Sequence, residues 1–149
     1  MIKEINIDIF DSDFEVMIHQ TNCFVTFAAG LAKTVKEKYP EVYAADRKTT
    51  SGDKTKLGTI SPVWISKNKY IINCYGQYHY GRDRRQTNYE AYYRCLEKVK
   101  NFMIEERLIK LSIPALMGCG LASGSWPICL AMIKDVFENI AVNVTICKL

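Results

Sequence analysis

The chain has 149 residues, 48% of them hydrophobic, and a formal net charge of +4. That length suits one domain, 1–149, with a sizeable core, and is too short for two of ordinary size. No window approaches 18 consecutive apolar residues, which argues against a membrane span, and so mild a charge permits an anionic ligand without demanding one.

Cys23, Cys74, Cys95, Cys119, Cys129 and Cys147 would suit disulfides in a secreted protein. The start, MIKEINIDIF, is charged throughout and gives no sign of a signal peptide, so a reduced, cytoplasmic setting is expected.

Residues 2–9 (IKEINIDI) alternate and 14–21 (FEVMIHQT) form an apolar run; both predict strands. Phe27, Leu31, Val35 and Tyr39 recur at helical spacing up to Pro40, and PEVYAADRK predicts a second, short helix opened by proline. A polar loop, TTSGDKTKLG, follows. TISPVWIS and KYIINCYG are rich in β-branched and aromatic residues and are separated by Lys67–Asn68, which predicts a hairpin or neighbouring strands.

After the loop QYHYGRDRRQ, the run TNYE reads as a capping box in which Thr87 accepts from the backbone of Glu90. The helix it opens is expected to bury Tyr89, Tyr93, Leu96, Val99 and Met103. LIKLSIPAL predicts a strand, and a glycine loop leads to a helix with Trp126, Leu130, Ile133 and Phe137 on one face. VNVTICKL predicts the last strand. The order ββααββαβαβ predicts an α/β domain of three layers, with a mixed sheet and helices on both faces.

Two stretches, Asn22 to Ala32 (NCFVTFAAGLA) and Gly118 to Trp126 (GCGLASGSW), each run from an apolar strand into a helix. Small-residue loops of this kind expose backbone N–H groups at the positive end of a helix dipole, which suits a phosphate; two side by side suit a diphosphate. Gly118, Gly120 and Gly124 are also what a tight turn needs, with Ser125 capping the helix and Pro127 in its first turn. Neither loop fits GxxxxGK[ST], and no βαβ unit with a ribose-binding acid follows the second.

His19 is the best-placed titratable side chain near the first loop, although a lone strand histidine also reads as structural. His79 reads equally as a solvated surface residue. With no CxxC and no HExxH, no metal is expected. Cys23 and Cys119, at the helix mouths, are either thiol nucleophiles or buried cysteines. Tyrosines interleaved with Arg82, Arg84 and Arg85 resemble a single-strand binder, or a core helix behind a solvated loop; Tyr78, Tyr80 or Arg82 flanking a small nucleotide is a third reading.

Several separated motifs then carry a family resemblance: DIF at Asp8, IHQTNC leading into AAGLAKTVKEKYPEVY, LGTI, IINCYGQ, TNYEA and PALMGCGLASGSW. Nearly end to end the chain resembles a macrodomain, a three-layer α/β/α fold whose central sheet is mixed, mostly parallel and of about six strands. It is most similar to the branch with phage and yeast ADP-ribose-1''-phosphate phosphatases and terminal ADP-ribose glycohydrolases.

The resemblance implies ADP-ribose as ligand. Asp8 would bond the adenine amine with Ile9 beside the ring. The first loop would wrap the distal ribose and one phosphate through Gln20, Asn22, Cys23, Thr26, Phe27, Ala28, Gly30, Leu31 and Ala32. Gln77 would lie near them. Gly118, Cys119, Gly120, Leu121, Ala122, Ser123, Gly124 and Ser125 would cover the diphosphate from the other side.

Glycohydrolases of this branch use a lysine after the middle strand and an aspartate in the second loop. Here Gln77 stands near the lysine position, and Ala122 and Ser125 stand where acids occur, which argues against lysine-dependent removal of ADP-ribose. His19 falls where the yeast-type phosphatase carries a histidine.

The resemblance therefore implies hydrolysis of ADP-ribose-1''-phosphate to ADP-ribose and phosphate, with catalytic His19 as general acid or base and Asn22 orienting the ribose, and with no metal or cofactor. Two alternatives stay open: a module that binds ADP-ribose or a related nucleotide without turnover, and a glycohydrolase with non-standard residues. The implied partners are ADP-ribose or its 1''-phosphate and macromolecules carrying ADP-ribose, rather than a membrane or nucleic acid as such. The implied setting is the host cytoplasm if the chain is phage-encoded.

Overall fold

A computed structural model describes residues 1–149. Its elements are β1 (Ile2–Ile5), β2 (Val16–Gln20), α1 (Gly30–Lys38), α2 (Pro40–Arg47), β3 (Ile60–Ser66), β4 (Lys69–Cys74), α3 (Tyr89–Glu106), β5 (Lys110–Pro114), α4 (Trp126–Phe137) and β6 (Asn143–Cys147). This is the expected α/β order, with one six-stranded sheet arranged β1-β6-β5-β2-β4-β3. Every pairing is parallel except β3 with β4. Those two are joined at Lys67–Asn68, where Asn68 takes a positive φ of 55°, a conformation that asparagine tolerates well in a hairpin turn.

The central strands β2, β4 and β5 are buried on both faces along most of their length, which is why they read as apolar runs, whereas the edge strand β1 is largely exposed. Val16 and Ile18 of β2 face Leu96, Val99, Met103, Ile133 and Phe137 of α3 and α4. Met17 faces the other way, into a smaller cluster with Phe27, Val35, Val42 and Ile71 under α1 and α2. No helix is long and apolar enough to cross a membrane.

Several local expectations shift. The first strand stops at Ile5, and Ile9–Asp11 form a 3-10 turn capped by Asp8, which accepts from the Phe10 N–H at 3.0 Å. The cap of α3 is Asn88, accepting from the Ala91 N–H at 2.9 Å. Thr87 is not that cap, because its hydroxyl is committed to the carbonyl of Gly118 at 2.6 Å. The buried stripe of α3 is accordingly Tyr92, Cys95, Leu96, Val99 and Met103, with Tyr89 and Tyr93 half-buried at its edge. On α4 it is Cys129, Ile133, Val136 and Phe137, with Trp126 and Leu130 half-buried.

What positions the site is a split in the sheet. β2 and β5 pair only through Val16–Leu111 and Met17–Ser112. Beyond that point β2 follows β4 as far as Gln20–Cys74, and β5 follows β6 as far as Pro114–Cys147. The chain leaves β2 for α1 on one face and β5 for α4 on the other. A crevice at the carboxyl ends of two such strands is where open α/β sheets bind ligands.

Candidate functional site

The crevice is a cleft of about 680 Å³. Its floor is His19 to Asn22 from β2 and Pro114 to Met117 from β5. One wall is Thr26 and Ala28 to Ala32; the other is Gly118 and Gly120 to Ala122; Gln77 and Tyr80 to Arg82 form the rim. Gly30 and Leu121 close the walls over the cleft, a Cβ on Gly30 lying 3.8 Å from Leu121 Cδ1.

The first wall is a strained turn feeding an uncapped helix. Asn22 Oδ1 accepts from the Phe24 N–H at 2.8 Å, and Asn22 Nδ2 donates to Thr26 Oγ1 at 2.7 Å. Between them Val25 sits at φ 59°, an uncommon place for a β-branched residue. Ala29, the N-cap of α1, has no side-chain oxygen to cap the helix. The N–H groups of Gly30, Leu31 and Ala32 therefore have no protein acceptor and carry the positive end of the helix dipole into the cleft.

The second wall also presents bare N–H groups, those of Gly120, Leu121 and Ala122, in a concave turn of the kind that binds anions. Its glycines have different reasons. A Cβ on Gly124 would meet the Gly118 carbonyl at 2.6 Å, and one on Gly118, at φ 76°, would meet Gln20 Oε1 at 2.8 Å. Both are packing glycines. Gly120 would meet nothing within 4 Å, so no packing contact requires a bare backbone there.

A polar hub sets the two walls apart. Gln20 Nε2 donates to Gln77 Oε1 at 2.8 Å and to Thr87 Oγ1 at 2.9 Å, while Thr87 donates to the Gly118 carbonyl. The N–H groups of Gln86 and Thr87 hold the Ala122 carbonyl. Gln77 Nε2 is taken by the carbonyl of His79 at 2.8 Å, so this side chain braces the rim.

His19 is 1% exposed. Its Nε2 lies 2.6 Å from Asn73 Oδ1. Asn73 Nδ2 donates to the Val42 carbonyl, which makes Oδ1 the acceptor and assigns the ring proton to Nε2. Nδ1 is left with a bare lone pair and no partner. Burial pulls the pKa down to about 4 against that hydrogen bond. A ring kept neutral at pH 7 offers an acceptor at Nδ1 rather than an acidic proton.

Burial argues against the thiol-nucleophile reading. Burial pushes Cys23 up to about 11 despite the nearby Lys56, and Cys119 up to about 12, with Cys129 adding to it. Cys119 Sγ lies 3.6 Å from Cys129 Sγ.

Not all expected site residues line the cleft. Asp8, Ile9, Cys23, Phe27, Cys119, Ser123, Gly124 and Ser125 do not. Phe27 packs in the α1 side core, edge-on to His19 at 5.4 Å. The mouth of α4 stands back from the cleft, with none of Ser123 to Trp126 in its lining; the Ser125 N–H is held by the Tyr89 hydroxyl at 2.9 Å and Pro127 supplies no N–H. Thr21, Ala29 and Pro114 to Met117, which lie inside the family-like motifs without an implied role, also line the cleft, as does Gly81, which no motif marks. His79 is exposed, its Nδ1 against the Tyr80 carbonyl at 2.7 Å.

Fold and cleft together define an α/β/α domain with a ligand crevice between two N–H-bearing loops at a sheet switch point. No family model matches the chain. It is 32% identical over 126 residues to an uncharacterized 17.5 kDa protein from the tk-vs intergenic region of Enterobacteria phage T4, over 81% of this chain and 78% of that one. A 43-residue stretch, 28% of this chain and 21% of the relative, is 46% identical to an ADP-ribose 1''-phosphate phosphatase of Aspergillus oryzae.

Among solved structures, the macrodomain of Thermus aquaticus DarG is 19% identical, with TM-score 0.82 over 100% of this chain and 99% of that one. Thermosipho africanus DarTG in complex with ADP-ribose gives TM-score 0.81 at 18% identity, over 98% of this chain and 41% of that one. The chain has the macrodomain fold.

Proposed function

We propose that the cleft binds ADP-ribose and that the protein hydrolyses ADP-ribose-1''-phosphate to ADP-ribose and phosphate. The observation that carries the binding is the pair of bare N–H triplets, Gly30 to Ala32 and Gly120 to Ala122, facing one cleft from opposite walls. A diphosphate between them would be held by backbone donors alone, which suits a loop with no acid, base or lysine. Tyr80 and Arg82 at the rim offer a stacking face and a cation. Asp8, beyond the cleft lining, would hold the adenine, as the family resemblance implies.

For hydrolysis, the bare Nδ1 of His19 is the only imidazole lone pair on the floor. It would take a proton from the attacking water as the bond between phosphorus and the 1''-oxygen breaks, and that proton would pass to the departing 1''-oxygen, so that ADP-ribose leaves with a free hydroxyl. The partial relative named as an ADP-ribose 1''-phosphate phosphatase supports this chemistry.

A second reading, binding without turnover, is favoured by one observation: His19 is 1% exposed, so a water can reach Nδ1 only if the turn above it moves. Phosphate release from ADP-ribose-1''-phosphate separates the two. Release that His19→Ala abolishes while ADP-ribose affinity holds supports hydrolysis, and no release from the wild type leaves a binding module.

A further inference from the structure

The polar loop TTSGDKTKLG hides a buried cation. Lys56 is 7% exposed. Its Nζ donates to Thr49 Oγ1 at 2.6 Å and to the Cys23 carbonyl at 3.3 Å, and faces Asp46 Oδ1 at 3.9 Å. Asp46 is fully buried and accepts from the Tyr75 hydroxyl at 2.6 Å. Burial raises its carboxyl above the usual range, against the pull of Tyr75 and Lys56. A buried pair of this kind rarely stabilises a fold more than apolar side chains of similar volume. What apolar side chains cannot do is hold a carbonyl.

That carbonyl follows Asn22 directly, and Cys23 is pinned at each of its polar groups. Its N–H donates to the Tyr78 carbonyl at 2.9 Å, its thiol lies 3.4 Å from the Gln77 carbonyl, and its own carbonyl accepts from the Gly52 N–H at 2.7 Å as well as from Lys56. Two residues on, Val25 is held in the left-handed region, a conformation that persists only where its surroundings enforce it. The Tyr43 hydroxyl steadies the Val25 carbonyl at 3.3 Å.

We infer that Lys56 is a positioning residue of the cleft: from behind the first wall it holds the Cys23 carbonyl, so that the strained turn Asn22–Thr26 keeps the shape that binds ligand. The inference rests on the reading of the cleft as an ADP-ribose site. Lys56 lies outside the cleft lining and acts through Cys23.

The test is the double variant Lys56→Met with Asp46→Asn, which removes both charges so that neither is left buried alone. Two readouts are compared with the wild type: amide hydrogen exchange of residues 22–28 without ligand, and ADP-ribose affinity by calorimetry. Exchange of the Phe24 N–H is expected to speed up, and affinity to fall about tenfold, the loss of one restraining hydrogen bond. Adding Val25→Asn, a residue that accepts the left-handed region, is expected to restore most of the affinity, which a general loss of stability would not allow.

Should the double variant not fold, Lys56→Gln with Asp46→Asn, which again leaves no charge buried alone and keeps an uncharged donor of shorter reach, takes its place with the same expected direction. Unchanged exchange in the turn overturns the inference, as does an affinity loss that Val25→Asn leaves in place. A wild type that gives no heat with ADP-ribose removes the proposed function instead, and the exchange comparison alone then decides the role of Lys56.

Discussion

The wall after β2 is shaped by side chains and the wall after β5 by missing ones. In the first, Asn22, Thr26 and the buried Lys56 hold a turn in which Val25, rather than a glycine, takes the positive φ. In the second, Gly118 and Gly124 let the backbone fold tightly on Gln20, Thr87 and itself. Both arrive at the same product, three consecutive N–H groups without a protein acceptor. The difference teaches that a glycine-rich loop and an anion-binding loop are separate things: only Gly120 in the second wall is bare without a packing reason.

The contrast can be broken or sharpened by measurement. The largest effect is expected on the floor beside the first wall. His19 has a folded pKa of about 4 against 6.5 unfolded, so between those values the unfolded chain takes up a proton that the folded chain excludes. Stability is then complete above pH 6.5 and falls by about 3 kcal/mol as pH drops to 4. Urea unfolding across this range checks it, with His19→Leu expected to lose that part of the slope. Equal slopes in the two proteins would contradict the buried neutral ring.

In the second wall, Gly124→Ala and Gly118→Ala are expected to cost about 2 kcal/mol each, because the new methyl meets backbone or the Gln20 amide. Gly120→Ala should change stability by less than about 0.5 kcal/mol and still weaken ADP-ribose binding. Three similar stability losses would erase the distinction between packing and ligand glycines. A smaller effect is expected for Asn22→Ala: about 1 kcal/mol of stability for its paired hydrogen bonds, with a clear fall in affinity by calorimetry. The smallest is Cys119→Ser, expected to leave phosphate release unchanged, since a thiol held at about 12 supplies no nucleophile.

Most of the fold was legible because its signals are periodic. The apolar runs of β2, β4 and β5, the proline at α2 and the turn at Lys67–Asn68 each have a local cause. Both cleft loops could be found from small residues between a strand and a helix. The α3 cap could not be placed to the residue, because Thr87 and Asn88 are both good caps and the choice depends on Gly118, 31 residues away. Lys56 was hidden for the same reason: a lysine among threonines and glycine reads as solvated until Asp46, Thr49 and Cys23 are brought around it. The tautomer of His19 likewise depends on Asn73 and Val42, which only the sheet and α2 bring together.

The most direct measurement is a calorimetric titration of the wild-type protein with ADP-ribose, repeated with Gly120→Ala. The account predicts one saturable site per chain, weakened by a substitution that leaves the unfolding midpoint where it was. No heat with the wild type, or identical binding by both proteins, would contradict the claim that the two bare N–H walls hold the ligand.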